Sequence, residues 1–134
     1  MNKKSIPRIE ETQGCHCLAA RKQARELTRR YEAALRRHGL KATQFSILAA
    51  LVQTGPAPMT RLADMLGLER TTLTRVANVM VRQTWVSIDA SKQDKRMQIL
   101  SATPSGEKKL AEAFPEWKRV QDEVNKELKG AYHG

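Results

Sequence analysis

The sequence has few of the residues that mark secreted, membrane-spanning or single-strand-binding proteins. Its 134 residues include two cysteines, Cys15 and Cys17, which are too few for a disulfide framework. Aromatic residues make up 4% of the chain, so it lacks the aromatic clusters on which single-stranded bases stack. No apolar run reaches the roughly 18 residues that a membrane span needs, and no secretory signal is visible. We therefore expect a cytoplasmic protein with reduced thiols.

Signatures of catalysis and of metal binding are also missing. The chain has no nucleophile elbow, phosphate-binding loop or H-E-x-x-H motif. Cys15, His16 and Cys17 are too close together to surround one zinc ion, and no second ligand pair accompanies them. We therefore expect a protein that is not an enzyme and that uses no cofactor and no metal.

Acidic residues are few compared with basic ones, and the imbalance is uneven along the chain. There are 24 Lys and Arg against 14 Asp and Glu, which gives a net charge of +10. Residues 1–41 contain 11 basic and 4 acidic side chains, whereas residues 42–60 contain no charged side chain. This distribution favours a polyanionic partner, nucleic acid before an anionic membrane surface. The length fits a single domain covering residues 1–134.

Hydrophobic periodicity and turn residues predict the order helix, helix, helix-turn-helix, hairpin, helix. The predicted segments are a flexible arm at 1–14, helices at 15–38 and 43–53, and a long final helix at 104–128. In the first helix, Glu26 with Arg30 and Glu32 with Arg36 are spaced for i,i+4 ion pairs. Thr43 can cap the second helix, which ends at the breaker "TGPAP".

The stretch "LERTTLTRVANVMVRQ" at residues 68–83 has two opposed faces on a helical wheel. The apolar face contains Leu73, Val76, Ala77 and Met80, and the polar face contains Thr71, Arg75, Asn78 and Arg82. A short helix capped by Thr60 precedes it, with Leu62, Ala63, Met65 and Leu66 facing inward. Gly67 fits the left-handed position between them, so the pair predicts a helix-turn-helix.

After Gln83 the periodicity changes to two, which is typical of strands. Val86 and Ile88 alternate with polar residues, and Met97 and Ile99 do so in the next run. The basic segment between the runs predicts a β-hairpin with a charged tip. Thr103 and Pro104 begin the final helix, in which Pro115 predicts a kink. The predicted fold is mainly α with a small β-hairpin wing, a winged helix-turn-helix lobe spanning residues 43–102.

A hairpin directly after a helix-turn-helix suggests a function for the polar face of residues 68–83. In winged proteins the second helix enters the major groove, and the wing reaches the backbone or the minor groove. Arginine suits guanine edges or phosphates, and asparagine suits adenine. The alternative is that the polar face is ordinary solvated surface. We expect DNA contacts from Thr71, Thr72, Thr74, Arg75, Asn78, Arg82, Lys92, Lys95 and Arg96.

The motifs "RTTLTR" at 70–75, "DKR" at 94–96 and "TPSG" at 103–106 resemble those of the multiple antibiotic resistance regulator (MarR) family. The resemblance covers about residues 15–128. It implies a homodimeric regulator of transcription that binds double-stranded DNA, often a repressor, and that responds to a small-molecule ligand or an oxidant. The sequence departs from the family at Thr84 and Trp85, where members usually have Gly and Leu. A left-handed turn at Thr84 would be strained.

The long apolar stripes of the terminal helices favour a homodimer independently. One lobe cannot cover both stripes, and two-fold pairing through 15–38 and 104–128 would bury them. Such a dimer places its two recognition helices about 34 Å apart and needs a near-palindromic site. The alternative is that these helices cover only the core of their own lobe.

The start of the first helix is a candidate sensor. A helix N-terminus and cations such as Arg21 stabilise thiolates, which allows oxidant sensing by Cys15 or Cys17 through a disulfide between subunits. The alternatives are that Cys17 is a small buried residue and Cys15 has no special role, or that these thiols line a ligand pocket. The family resemblance implies such a pocket beside the lobe; its candidate residues are Arg21, Tyr31, Phe45 and Trp117, with packing favoured for the last two.

Two other functions stay open at this point. One is a sequence-neutral architectural protein, which would bind scrambled duplexes as tightly as any other. The other is a protein interaction module that kept the winged fold without binding DNA, which would show no salt-dependent duplex binding.

Overall fold

The structure is a computed structural model that describes residues 5–133, with side chains described as far as residue 130. The described residues form five α-helices and three strands: α1 (His16–Leu35), α2 (Ala42–Thr54), β1 (Ala57–Pro58), α3 (Met59–Leu66), α4 (Arg70–Arg82), β2 (Val86–Ala90), β3 (Gln98–Ala102) and α5 (Pro104–His133). The predicted winged helix-turn-helix, mainly α with a small wing, is confirmed.

The helix-turn-helix is formed by α3 and α4. Gly67 ends α3 in the left-handed conformation, with φ of 64°. The N–H of Leu68 then donates to the carbonyl of Ala63 at 2.9 Å, which closes the last turn. The predicted role of Gly67 is confirmed. This turn sets the angle between α3 and α4 within the lobe, the unit formed by α2 to β3.

The main core lies between α2, α3, α4 and the sheet. The inner faces of these helices bury Leu48, Leu62, Leu73 and Met80 completely. On α3, Met65 is exposed although it was predicted to face inward. It lies about 100° away from the face shared by Leu62, Ala63 and Leu66, so the core cannot reach it.

The sheet has the strand order β1-β3-β2, and all its strands are antiparallel. Residues 54–58 were predicted to be a breaker only, yet Ala57 and Pro58 pair with β3. The apolar alternation of Met97 and Ile99 does not mark the buried side of β3, because Leu100 is buried whereas Met97 is exposed. Leu100 lies between Ala57 and Ile88 in the sheet register, and this pairing selects the other phase of the alternation.

Two predicted helix caps are wrong. Thr43 lies inside α2, which begins at Ala42, and Thr60 lies inside α3, which begins at Met59. The start of α2 is held instead by Gln44, whose side-chain oxygen accepts the Lys41 N–H at 3.0 Å. The N-cap position of α3 is occupied by Pro58, whose side chain has no hydrogen-bond acceptor.

The predicted flexible arm is structured in part. Residues Ile9–Gly14 form a 3-10 helix, and Arg8 makes an ion pair with Glu11 at its start. The N–H of Cys15 donates to the carbonyl of Thr12, which joins this helix to α1. Residues 1–4 of the arm lie outside the described residues. At the other end of α1, the predicted helix 15–38 closes as a 3-10 turn at Arg36–His38.

Helices α1 and α5 pack against each other within one chain. Ala34 of α1 and Val120 and Val124 of α5 form a second buried cluster. Arg30 makes two hydrogen bonds to Glu127, at 2.6 and 3.1 Å, rather than the predicted pair with Glu26. The predicted Glu32–Arg36 pair is also replaced, since Glu32 accepts the backbone N–H of Ala42. In both cases a group of another helix takes the place of a neighbour along α1.

The same chain therefore covers the middle of the α5 stripe, and this part is not free to pair with a second subunit. Other apolar positions of the two helices stay exposed: Leu18 by 49%, Phe114 by 46% and Leu128 by 41%. Helix α5 continues through Pro115 and beyond the predicted end at residue 128. The kink at Pro115 stays a prediction.

Candidate nucleic-acid interface

Helix α4 presents a continuous polar face to solvent. Thr71, Arg75, Asn78 and Arg82 are all exposed, while Leu73, Ala77 and Met80 on the opposite side are fully buried. The two faces follow from the 3.6-residue period, because positions three and four apart share a side of the helix. The predicted division of α4 into an inner and an outer face is confirmed. We call the outer side the α4 face.

An open, shallow depression of about 580 Å³ runs along the α4 face, between side chains of the helix itself: Arg70, Thr71, Thr74, Arg75, Asn78, Val79 and Arg82. Thr74 donates its hydroxyl proton to the carbonyl of Arg70 at 2.8 Å. Thr72 is half-buried and does not line the depression. Among the predicted contact residues of α4, Thr72 is therefore the one that the structure sets apart from the others.

The wing is the β2–β3 hairpin with its connecting residues 91–97, and its cations point to solvent. Lys92, Lys95 and Arg96 are exposed. The Asp94 carboxylate accepts two hydrogen bonds from Arg96, one from its backbone N–H at 3.0 Å and one from its side-chain Nε–H at 3.3 Å. The Ser91 hydroxyl accepts the Gln93 N–H at 3.2 Å. These bonds within the loop hold the tip in a turn, so Asp94 orients Arg96 and offsets part of its charge.

The wing begins at a left-handed residue. Thr84 adopts the left-handed conformation, with φ of 66°, which a threonine side chain disfavours. The Trp85 N–H donates to the carbonyl of Met80 at 3.0 Å. This bond closes the last turn of α4, as the bond from Leu68 to Ala63 closes the last turn of α3. The Thr103 hydroxyl donates to the carbonyl of Thr84 and also accepts the Gly106 N–H. Thr103 thus caps α5, as predicted, and ties it to the wing.

Gly106 allows the closest approach between α5 and the start of the wing. A Cβ on Gly106 would lie 2.0 Å from the carbonyl oxygen of Trp85. The carbonyl of Trp85 also accepts the Thr103 N–H at 3.0 Å. The "TPSG" motif therefore has a structural reason, because only glycine fits against the backbone of Trp85.

Arg70 is the residue of this surface that the sequence prediction missed. It is exposed, is the first residue of α4 and borders the depression along the α4 face. A signal was present, since Arg70, Thr74 and Asn78 follow one another at steps of four.

The predicted sensor residues do not form one site. Cys15 and Cys17 are both exposed, so the expectation of a small buried Cys17 is wrong for this chain. A cleft of about 180 Å³ is lined by Tyr31, Leu35, Ala42, Ser46 and Trp117, without Arg21. Near it, Trp117 stacks on Phe45 with centroids 5.4 Å apart. Burial raises the pKa of Tyr31, whose hydroxyl donates to Gln121.

Two further observations concern the described residues only. They include no helix that is both long and apolar enough to cross a membrane. They also include no cluster of three His, Cys, Asp or Glu side chains that could hold a metal ion.

A family model and several known proteins match this chain. The model described as the MarR family matches residues 38–97. A curated relative in Bacillus subtilis (strain 168), the uncharacterized HTH-type transcriptional regulator YpoP, is 32% identical over 71 residues. That match covers 53% of this chain and 50% of YpoP, so the chain spans about half the length of this relative.

Solved structures match over most of the length. The M. tuberculosis transcriptional regulator MosR in complex with DNA is 42% identical, with a TM-score of 0.76, and covers 82% of this chain and 80% of that one. A second structure of MosR is 37% identical, with a TM-score of 0.77 and coverages of 87% and 84%. Sequence motifs, winged fold and these matches agree. The chain belongs to the MarR family of winged helix-turn-helix transcription regulators.

Proposed function

We propose that this protein is a sequence-specific regulator of transcription that binds double-stranded DNA through the α4 face and the wing. The observation that carries the proposal is the α4 face itself, where Arg75, Asn78 and Arg82 stand free of the core beside a basic hairpin. An α-helix fits the major groove, and these side chains can bond base edges there. MosR, which is 42% identical, has been crystallised with DNA.

The proposed form is a homodimer that binds a near-palindromic site. Leu18, Phe114 and Leu128 supply apolar area for pairing on α1 and α5. Two-fold symmetry would present the two α4 helices to successive turns of one duplex face, about 34 Å apart. The contact residues in this proposal are Thr71, Thr74, Arg75, Asn78 and Arg82 on α4 and Lys92, Lys95 and Arg96 on the wing. Because the proposed partner is double-stranded DNA, we also propose that the protein is cytoplasmic.

We further propose that the regulator is a repressor whose release depends on an oxidant or a small ligand. Both thiols, Cys15 and Cys17, are exposed at the start of α1, where an oxidant such as peroxide can reach them. Loss of two hydrogen atoms from two thiols would link the subunits by a disulfide. The cleft beside Tyr31 and Trp117 is, at 180 Å³, below the usual volume of a drug-sized site, which favours the thiols.

Selection of bound DNA fragments tests the proposed function. Fragments retained by the protein at two salt concentrations are sequenced, and the enriched duplex is compared with a scrambled one at fixed salt. A regulator should prefer the enriched duplex by a factor of at least ~10³. Equal, salt-dependent affinity for both duplexes would indicate an architectural protein. Binding to neither would indicate a protein interaction module.

A further inference from the structure

A second concave surface lies between the α4 face and the wing. It is a cleft of about 310 Å³, which we call the wing cleft, and its polar lining includes Thr60, Arg70, Asp94 and Arg96. Three elements meet there: the first turn of α3, the first residue of α4 and the wing. The sequence prediction assigned Arg96 to DNA contact but gave no role to Thr60 or Arg70.

Arg70 links this cleft to the α4 face. It lines the 580 Å³ depression along α4 and also the 310 Å³ wing cleft. The two concave surfaces therefore share one lining residue, Arg70. In the described residues Arg70 makes no ion pair, whereas Arg30 and Arg37 are both paired with α5. Its charge is free for a partner.

The groups around the wing cleft suit an anion. Helices α3 and α4 both begin here, at Met59 and Arg70, and neither has a side-chain cap in the described structure. Uncapped N–H groups and the helix dipole favour a negative charge at such ends. The single carboxylate, Asp94, accepts two hydrogen bonds from Arg96, so its charge is offset within the wing.

The geometry of duplex DNA supplies the anion. The major and minor grooves are separated by a sugar-phosphate strand, so a protein with a helix in one groove and a wing at the next must straddle that strand. We propose that the wing cleft holds this strand, and that Arg70 is the phosphate contact shared by the helix and the wing. The proposal rests on the proposed function, because it needs α4 in the major groove.

Arginine at this place has a chemical advantage over lysine. A guanidinium group has five N–H donors in a fixed plane and can bond two phosphate oxygens at once. The neighbouring Thr60 hydroxyl can donate to the same strand. Phosphate contacts carry no base information, so this site contributes affinity and register rather than sequence preference.

The test compares Arg70→Ala with the parent on the enriched and the scrambled duplex. Affinity should fall about tenfold on both, as expected for one charged hydrogen-bonded contact. The slope of log affinity against log salt should become shallower by about 1. Arg70→Lys should recover part of the affinity and most of the slope. Because Arg70 is exposed, the variant should melt at the parent temperature.

A chemically altered duplex locates the contact. A neutral methylphosphonate replaces single phosphates of the strand between the two grooves. The methylphosphonate position that weakens binding by the parent should not weaken binding by Arg70→Ala any further, since that variant has already lost the contact. The matched control is Arg61→Ala, because Arg61 is exposed beside Thr60 but does not line the wing cleft. This control should keep the sensitivity of the parent.

The outcomes separate the two proposals. If the parent prefers the enriched duplex and Arg70→Ala matches it in affinity and salt slope, the wing cleft does not hold the strand, and the proposed function stands. A loss confined to the enriched duplex would make Arg70 a base contact and would also overturn the proposal. If the parent shows no preference, the proposed function itself fails.

Discussion

At the scale of single residues, the α4 face and the wing are expected to contribute in different ways. Arg75 lies in the middle of the α4 face, whereas Lys92 lies at the wing tip, and both are exposed. A side chain in the major groove can distinguish bases, whereas a cation beside the backbone adds affinity to every sequence. The two positions can therefore be separated by substitution.

Arg75→Ala should cost about 1–3 kcal/mol on the enriched duplex and much less on a scrambled one. Lys92→Ala should weaken both duplexes by the same factor and make the salt slope shallower by about 1. Fluorescence anisotropy at three salt concentrations measures both quantities. If Arg75→Ala binds the enriched duplex as tightly as the parent, Arg75 does not recognise a base.

The strained residue at the start of the wing gives a prediction about stability. Thr84 has φ of 66°, a conformation that costs a side chain with a Cβ about 1–2 kcal/mol. Thr84→Gly should therefore raise the free energy of unfolding by about 1 kcal/mol, after the greater entropy of glycine in the unfolded chain. Thermal denaturation measures this change as a higher melting temperature.

The control for this substitution is Thr28→Gly, at an exposed position inside α1. That change should lower stability by about 0.3 kcal/mol, because glycine is a poorer helix former than threonine. If Thr84→Gly melts as far below the parent as Thr28→Gly does, then Thr84 is not strained.

At the scale of elements, the pairing of α1 with α5 makes stability depend on pH. The hydrogen bonds from Arg30 lower the pKa of the Glu127 carboxyl below its ordinary value. A carboxyl with a lower pKa in the folded state contributes stability above its pKa in the unfolded chain, about 4.3. That contribution is lost as the pH falls through the folded-state pKa. The helix pair should therefore loosen in acid.

Glu127→Gln should remove this dependence. Between pH 7 and pH 3, the urea midpoint of the variant should fall less than that of the parent. Glu112→Gln is the matched control, because Glu112 is exposed on the same helix and makes no ion pair among the described side chains. Parallel midpoint curves for the parent and Glu127→Gln would contradict the prediction.

The elements also show what the sequence could predict. Local signals were sufficient for the helices, the turn at Gly67 and the outward face of α4, because each depends on residues close in the chain. The phase of β3 was beyond such signals, since Met97 with Ile99 and Leu100 with Ala102 are both regular alternations. Pairing with Ala57 decides between them, and Ala57 is more than forty residues away.

The candidate nucleic-acid interface, like the fold, was predictable only where its residues lie close together in the chain. Periodicity placed Arg75, Asn78 and Arg82 on one face from their spacing alone. The wing cleft was not predictable, because it brings Thr60, Arg70 and Arg96 together from three elements. The predicted ion pairs of α1 were wrong for the same reason. Arg30 prefers Glu127 of another helix to Glu26 of its own, and only tertiary structure makes that carboxylate available.

At the scale of the whole molecule, the exposed apolar residues of α1 and α5 predict self-association. Phe114 and Leu128 lie outside the buried cluster that joins α1 to α5. A second copy is the partner that two-fold symmetry provides for such surfaces. The parent should sediment as a dimer at micromolar concentration, and Phe114→Glu with Leu128→Glu should sediment as a monomer.

The control for this experiment is Val52→Glu. Val52 is as exposed as Phe114 but lies on α2 in the lobe. It should leave the dimer intact and thus exclude a general effect of added charge. A parent that is monomeric at every concentration tested would overturn the proposed assembly.

The contact at Gly106 has a mechanical consequence. With no side chain between α5 and the backbone of Trp85, and with Thr103 bonded to both Thr84 and Trp85, the long helix and the hairpin have no room to slide past each other. A tilt of α5 would therefore move the hairpin with it. In a pair of subunits, a few degrees of scissoring between the two long helices would change the distance between the hairpin tips, and so the spacing of half-sites that the pair can span.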